Sequence, residues 1–144
     1  MEFNEPLFVY SLTTRPVDAK RFSILFKPEW LSQAEYIPIL NEIFKFTKAH
    51  NEPPSIETLK TVFEDKDQSA YELRYKTTLE NLKTLVDTDR SEIIYTLDKV
   101  RDYGIVRSFI ELTNDQTILQ HQAELDGKTI IKESTENMLK EPTV

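Results

Sequence analysis

Two glycines, Gly104 and Gly127, in 144 residues constrain this chain more than any other feature. Glycine enters the left-handed backbone region without penalty, and tight β-hairpins, dinucleotide loops and phosphate cradles all lean on it. Few such features are therefore open to this sequence. Its seven prolines are unevenly placed: six lie at or before Pro54, and the last is Pro142. Because proline interrupts helices, the N-terminal half is cut into short pieces, while the C-terminal half can form long helices.

Each piece carries apolar residues at helical spacing. Asn4 offers a cap ahead of Leu7, Phe8 and Leu12, and Arg15-Pro16 breaks that segment. A helix from about Asp18 turns Phe22, Leu25 and Phe26 inward before Pro28. Ser32 and Glu35 fit a capping box with Leu31 and Tyr36 as its staple, but Pro38 belongs in a first helical turn. The pattern thus predicts a short turn at 32–35 and a main helix from near Pro38 that buries Leu40, Ile43 and Phe44, with Phe46 at its margin. Ser55 caps the next helix, on which Ile56, Leu59, Val62 and Phe63 face inward. The polar run 64–70 reads as a loop, and a further helix carries Leu73, Leu79, Leu82 and Val86. No strand pattern of alternating polarity occurs, so the expected class is all-α.

After a junction at Asp87–Ser91, a long helix runs to about Leu119. At about 100° per residue, Ile93, Leu97 and Val100 make one narrow stripe. From Tyr103 the apolar pattern splits, with Ile105, Phe109 and Leu112 on one side and Tyr103, Val106 and Ile110 on nearly the other. A helix apolar on two sides is covered on two sides, by its own chain or by another. Asp126-Gly127 supplies a turn, and a last helix with Ile131, Thr135, Met138 and Leu139 ends at Pro142. The expected architecture is a compact cluster of short helices over residues 1–88 followed by a long helical hairpin over 91–141. The hairpin's shorter arm can cover only one face of the longer, which favours completion by a second chain over docking onto the globular part.

The net charge of −7 opposes nucleic-acid binding, which relies on Lys and Arg neutralising phosphates. Lys99, Arg101 and Arg107 are interleaved with Asp98, Asp102 and Glu111 and read as a solvated mixed-charge surface. With no cysteine, the chain has neither disulfides nor thiolate metal sites. The first twenty residues hold Glu2, Glu5, Arg15, Asp18 and Lys20 and so are no signal peptide, and no apolar run suits a membrane span. A cytoplasmic protein is expected. Gly127-Lys128-Thr129 ends like a Walker A loop, but Gln122 stands where that motif needs its first glycine. His50 and His121 lack a second ligand at i+3 or i+4, and the spaced acids Asp65, Asp67, Asp87 and Asp89 lack the glycine and closing glutamate of a calcium loop. No catalytic, cofactor-binding or metal-ligating constellation emerges.

The order of features resembles the N-terminal domain of DnaB-type replicative DNA helicases, of the bacteriophage kind. Phe22-Ser-Ile-Leu-Phe-Lys-Pro-Glu-Trp30 is similar to that family's apolar helix leading into a proline, acid and aromatic stop. Ile37-Pro-Ile-Leu-Asn-Glu-Ile-Phe44 resembles its next helix, and Glu52-Pro-Pro-Ser-Ile-Glu-Thr-Leu59 its proline-led helix start. Tyr95-Thr-Leu-Asp-Lys-Val-Arg-Asp-Tyr-Gly-Ile-Val-Arg-Ser-Phe-Ile110 looks like the first arm of its hairpin, with repeated valine-arginine pairs. The run 64–70 and residues 70–90 depart from the pattern. The resemblance implies a helical globule and hairpin that form a collar by subunit association and dock primase or a helicase loader. It also implies that ATP and Mg belong to a separate motor domain, absent from this chain, with residues 142–144 beginning the linker to it. Carried over to this sequence, the candidate subunit or partner contacts are Tyr103, Gly104, Val106, Phe109 and Ile110, with Ile131, Met138 and Leu139 on the second arm. Gly104 would allow close helix approach; its alternative is a tolerated surface glycine costing about 1 kcal/mol relative to alanine. The alternative function is a free-standing small regulator that mimics this domain and binds a replicative helicase.

Overall fold

The computed structural model describes the backbone of residues 2–127 and the side chains of residues 2–114. Every regular element among the described residues is helical, so the chain is all-α. It divides into two compact units, one ending at Gly104 and one beginning at Ile105.

The first unit is built around α1 (Glu5–Leu12), capped by Asn4, whose side chain accepts a bond from the Leu7 N–H at 3.1 Å. Leu7 through Leu12 are all buried, as befits a helix packed on every side. Helix α2 (Pro16–Leu25) starts two residues before the expected Asp18. Pro16 occupies the first turn, where its missing N–H leaves no bond unmade. Phe22 and Phe26 are buried as expected, and Leu25 is half-buried. Two single 3-10 turns follow, Pro28–Trp30 and Ala34–Tyr36. Helix α3 (Ile37–His50) carries Pro38 in its first turn and ends at Asn51, whose φ of 64° is the left-handed cap that asparagine tolerates. Helix α4 (Ile56–Lys66) is capped by Ser55, whose hydroxyl accepts from the Thr58 N–H at 3.1 Å.

The polar run expected as a loop is largely helical. Helix α4 continues to Lys66, and Asp67 then caps a new turn, α5 (Gln68–Ala70), by accepting from the Ala70 N–H. A π-helical turn, Tyr71–Tyr75, leads into α6 (Lys76–Lys83) and a 3-10 turn, Thr84–Asp87. Leu73 and Val86, expected inside, are 81% and 65% exposed. Tyr71, Tyr75, Leu79 and Leu82 instead share the inward stripe, at spacings of four, four and three residues. Tyr75 stacks on Phe63 with ring centroids 4.3 Å apart.

Helix α7 (Arg90–Gly127) passes the end expected near Leu119 and reaches Gly127, the last residue whose backbone is described. Leu97 and Val100 are buried and Ile93 packs against the core, so the expected narrow stripe is the one that docks. Tyr103, to one side of that stripe, also packs against the core, and the first unit continues to Gly104. The second arm, with Ile131, Met138 and Leu139, lies outside the described residues, as do residues 142–144.

Candidate interaction surface

The residues singled out on the first hairpin arm separate into two groups. Tyr103 is half-buried within its own unit, where it meets Phe3 at 5.6 Å, Phe26 at 6.2 Å and Trp30 at 6.2 Å between ring centroids. These rings join Phe8 and Phe22 in a chain of mostly edge-to-face contacts, each worth about 0.5–1.5 kcal/mol beyond its burial. Gly104 is buried, and a Cβ built on it would lie 3.1 Å from Leu25 Cγ. The close approach that its lack of a side chain permits is therefore to α2 of the same chain. The register of Ile93, Leu97 and Val100 thus carries both residues onto the first unit.

In the second unit Val106, Phe109 and Ile110 are 48%, 68% and 47% exposed. Ile105 and Leu112 are exposed beside them. With Tyr103 removed, the split expected on this helix closes into one face. On the wheel the five residues fall within about 160°, centred about half a turn from the stripe of Ile93, Leu97 and Val100. The wheel positions that continue that stripe are taken by Arg107 and Glu111, which approach each other at 3.5 Å. Arg101 pairs with Asp98 and Asp102 at 3.3 and 3.4 Å, and the Lys99 ammonium lies over the Tyr95 ring.

Two grooves open on the first unit. One, of about 530 Å³, runs between α3 and the α4–α6 segment, with Pro38, Asn41, Lys45 and Tyr75 along it. Beneath it Lys66 bonds the buried Glu42 carboxylate and lies over the Phe63 ring. The other, of about 300 Å³, is lined by Tyr10, Thr13, Ser55, Ile56 and Val86, with Glu57 and Lys83 at its rim. The Lys83–Glu57 bond of 2.6 Å holds the Glu57 carboxyl below its ordinary value and the Lys83 ammonium above its own. Both groups are solvent-exposed, so the pair adds little to stability. Burial raises the phenols of Tyr71 and Tyr36, and the Glu35 charge adds to the rise at Tyr36. The His50 ring lies 4.2 Å from that of Phe46.

The sequence reading missed Glu5. Its buried carboxylate accepts from the Ser32 N–H and hydroxyl at 2.9 and 2.6 Å and from the Gln33 N–H at 2.8 Å. Ser32 is thus drawn to α1 rather than left to cap the following turn. No local signal marks a contact between residues so far apart in sequence.

Among the described residues, no three or more potential metal-ligating side chains are grouped, and no helix is long and apolar enough to cross a membrane. No protein-family model matches the chain, and comparisons with curated proteins and with solved structures find no match.

Proposed function

We propose that this chain is a non-catalytic association domain of the DnaB replicative-helicase type, self-associating through α7 in the collar that carries primase or loader docking, in the cytoplasm. The observation that supports this reading is the exposed apolar face of Ile105, Val106, Phe109, Ile110 and Leu112. Full burial of such a side chain contributes about 1.5–3 kcal/mol. Each is already about half covered, so pairing two copies gains on the order of 10 kcal/mol gross. Association itself costs about 4–15 kcal/mol. The balance is close, so assembly should depend on concentration across the micromolar range.

Light scattering over a dilution series tests this. The expected result is a mass that rises with concentration, and a Phe109→Asp variant that stays monomeric while retaining the melting transition of the first unit. A strict monomer at high concentration, or assembly that Phe109→Asp leaves unchanged, overturns the proposal. Added purified primase should then shift the mass of the assembled wild-type chain.

A further inference from the structure

The outer face of α2 points to a partner that the α7 surface does not explain. Its inner face buries Ala19 and Phe22. Its outer face leaves Val17 65% and Ile24 87% exposed, and Ile24 is the most exposed of the large apolar residues described. At about 100° per residue, Val17 and Ile24 lie nearly in line, two turns and about 10 Å apart. Lys20 and Arg21 fall between them along the axis, one on each side of that line. Both are exposed and make no ion pair among the described residues. The one acid of α2, Asp18, is already bonded by Arg15 Nε at 2.7 Å, and Lys27 lies over the Trp30 ring. Residues 15–27 hold four cations and one acid, in a chain whose overall charge is −7.

Scattered apolar residues on a surface need no explanation. An apolar seam two turns long, flanked on both sides by unpaired cations within an acidic protein, is a more specific arrangement. Paired helices place apolar residues at two positions of each seven and select partners by the charges beside them; α2 supplies one of those positions, with Val17 and Ile24, and sets Lys20 and Arg21 between them. We propose that α2 docks an acidic amphipathic helix of another protein. An apolar residue of that helix would lie between Val17 and Ile24, with carboxylates reaching Lys20 and Arg21. Two cations are too few for a nucleic-acid surface, and a β-branched seam has nothing to match on a phosphate backbone. The inference does not depend on self-association through α7.

The probe is a synthetic helical peptide of about 20 residues, long enough to hold a helix, with isoleucine every seventh position and glutamates three and four residues after each. It is titrated into the isotope-labelled 144-residue chain and followed by amide shifts. Shifts confined to residues 16–27 are expected, with affinity falling as salt rises. Ile24→Glu, and separately Lys20→Glu with Arg21→Glu, should each weaken binding about tenfold or more. These side chains are exposed, so the variants should melt like the parent. Phe109→Asp should bind the peptide normally, which separates this proposal from the fate of the α7 interface. The proposal is overturned if the acidic peptide produces no shifts, or shifts residues 105–112 instead. Equal binding of a peptide with lysine in place of glutamate also overturns it, as do shifts at 16–27 caused by duplex DNA or by raising the concentration of the chain alone.

Discussion

Replacing Gly104 by alanine tests whether the close approach at this glycine is internal to the chain. Two effects oppose each other. Alanine in a helix interior is favoured over glycine by about 0.8–1.0 kcal/mol. Against this, the new methyl would sit 3.1 Å from Leu25 Cγ and 3.5 Å from each Leu25 methyl carbon, where carbon pairs prefer about 3.5–4.0 Å. Leu25 must withdraw by a few tenths of an ångström. It is half-buried and is the last residue of α2, so its side chain has room to turn. A full 30° rotamer distortion costs about 0.5–1.5 kcal/mol, and the smaller turn required here should cost about 0.5 kcal/mol. Gly104→Ala is therefore expected to stabilise the chain by about 0.5 kcal/mol, raising the melting temperature by roughly 2 °C. In a Leu25→Ala background the obstacle is gone, and the gain should grow to about 1 kcal/mol. Thermal and urea melts of the four proteins in this cycle give the coupling directly. Equal gains in both backgrounds would refute an Leu25-limited contact. If Gly104→Ala instead disrupted assembly in light scattering while leaving the melt of the monomer unchanged, the glycine would be a contact between subunits, as first expected from the sequence.

Two further outcomes follow from buried polar groups. Glu5→Ala removes the shared acceptor of Ser32 and Gln33 and should destabilise the first unit by about 1–3 kcal/mol in urea melts, while Glu5→Gln, which keeps one carbonyl acceptor, should cost less; equal stability of all three proteins would show that water replaces these bonds without loss. The raised phenol of Tyr71 contributes stability that is fully present below its unfolded value near 10 and is lost as pH rises through the higher folded value, so Tyr71→Phe should flatten the alkaline limb of a stability–pH profile; an unchanged limb would assign the alkaline loss to other groups, such as Tyr36.

The helices that proline and cap chemistry delimit were legible at the level of residues. Asn4, Pro38 and Ser55 act where their chemistry places them, and Asn51 closes α3 in the one positive-φ conformation described. The segment from 64 to 86 was less legible for a specific reason. Apolarity alone points Leu73 and Val86 inward. The inward stripe is instead filled by the rings of Tyr71 and Tyr75, whose polar hydroxyls hide them from such a pattern. The polarity of 64–70 concealed a helix that needs no core of its own, because Asp67 restarts it by capping the next turn. A π turn at 71–75 adds a register change that no local composition announces.

On α7, residues that periodicity puts on one face differ in their surroundings. Tyr103 and Ile110 lie close together on the wheel, so periodicity alone puts them on one face. Their surroundings separate them: Tyr103 reaches Phe3, Phe26 and Trp30, whereas Ile110 is 47% exposed. The face that Ile93, Leu97 and Val100 begin runs out of apolar residues at Gly104, and its next members are Arg107 and Glu111. Beyond that point the apolar residues occupy the other half of the wheel. A helix whose only purpose was to complete its own globule would gain nothing from five large apolar side chains there, since each exposed one forgoes about 1–2 kcal/mol. The change of apolar face at Gly104 therefore marks where α7 ceases to contribute to the core of the first unit.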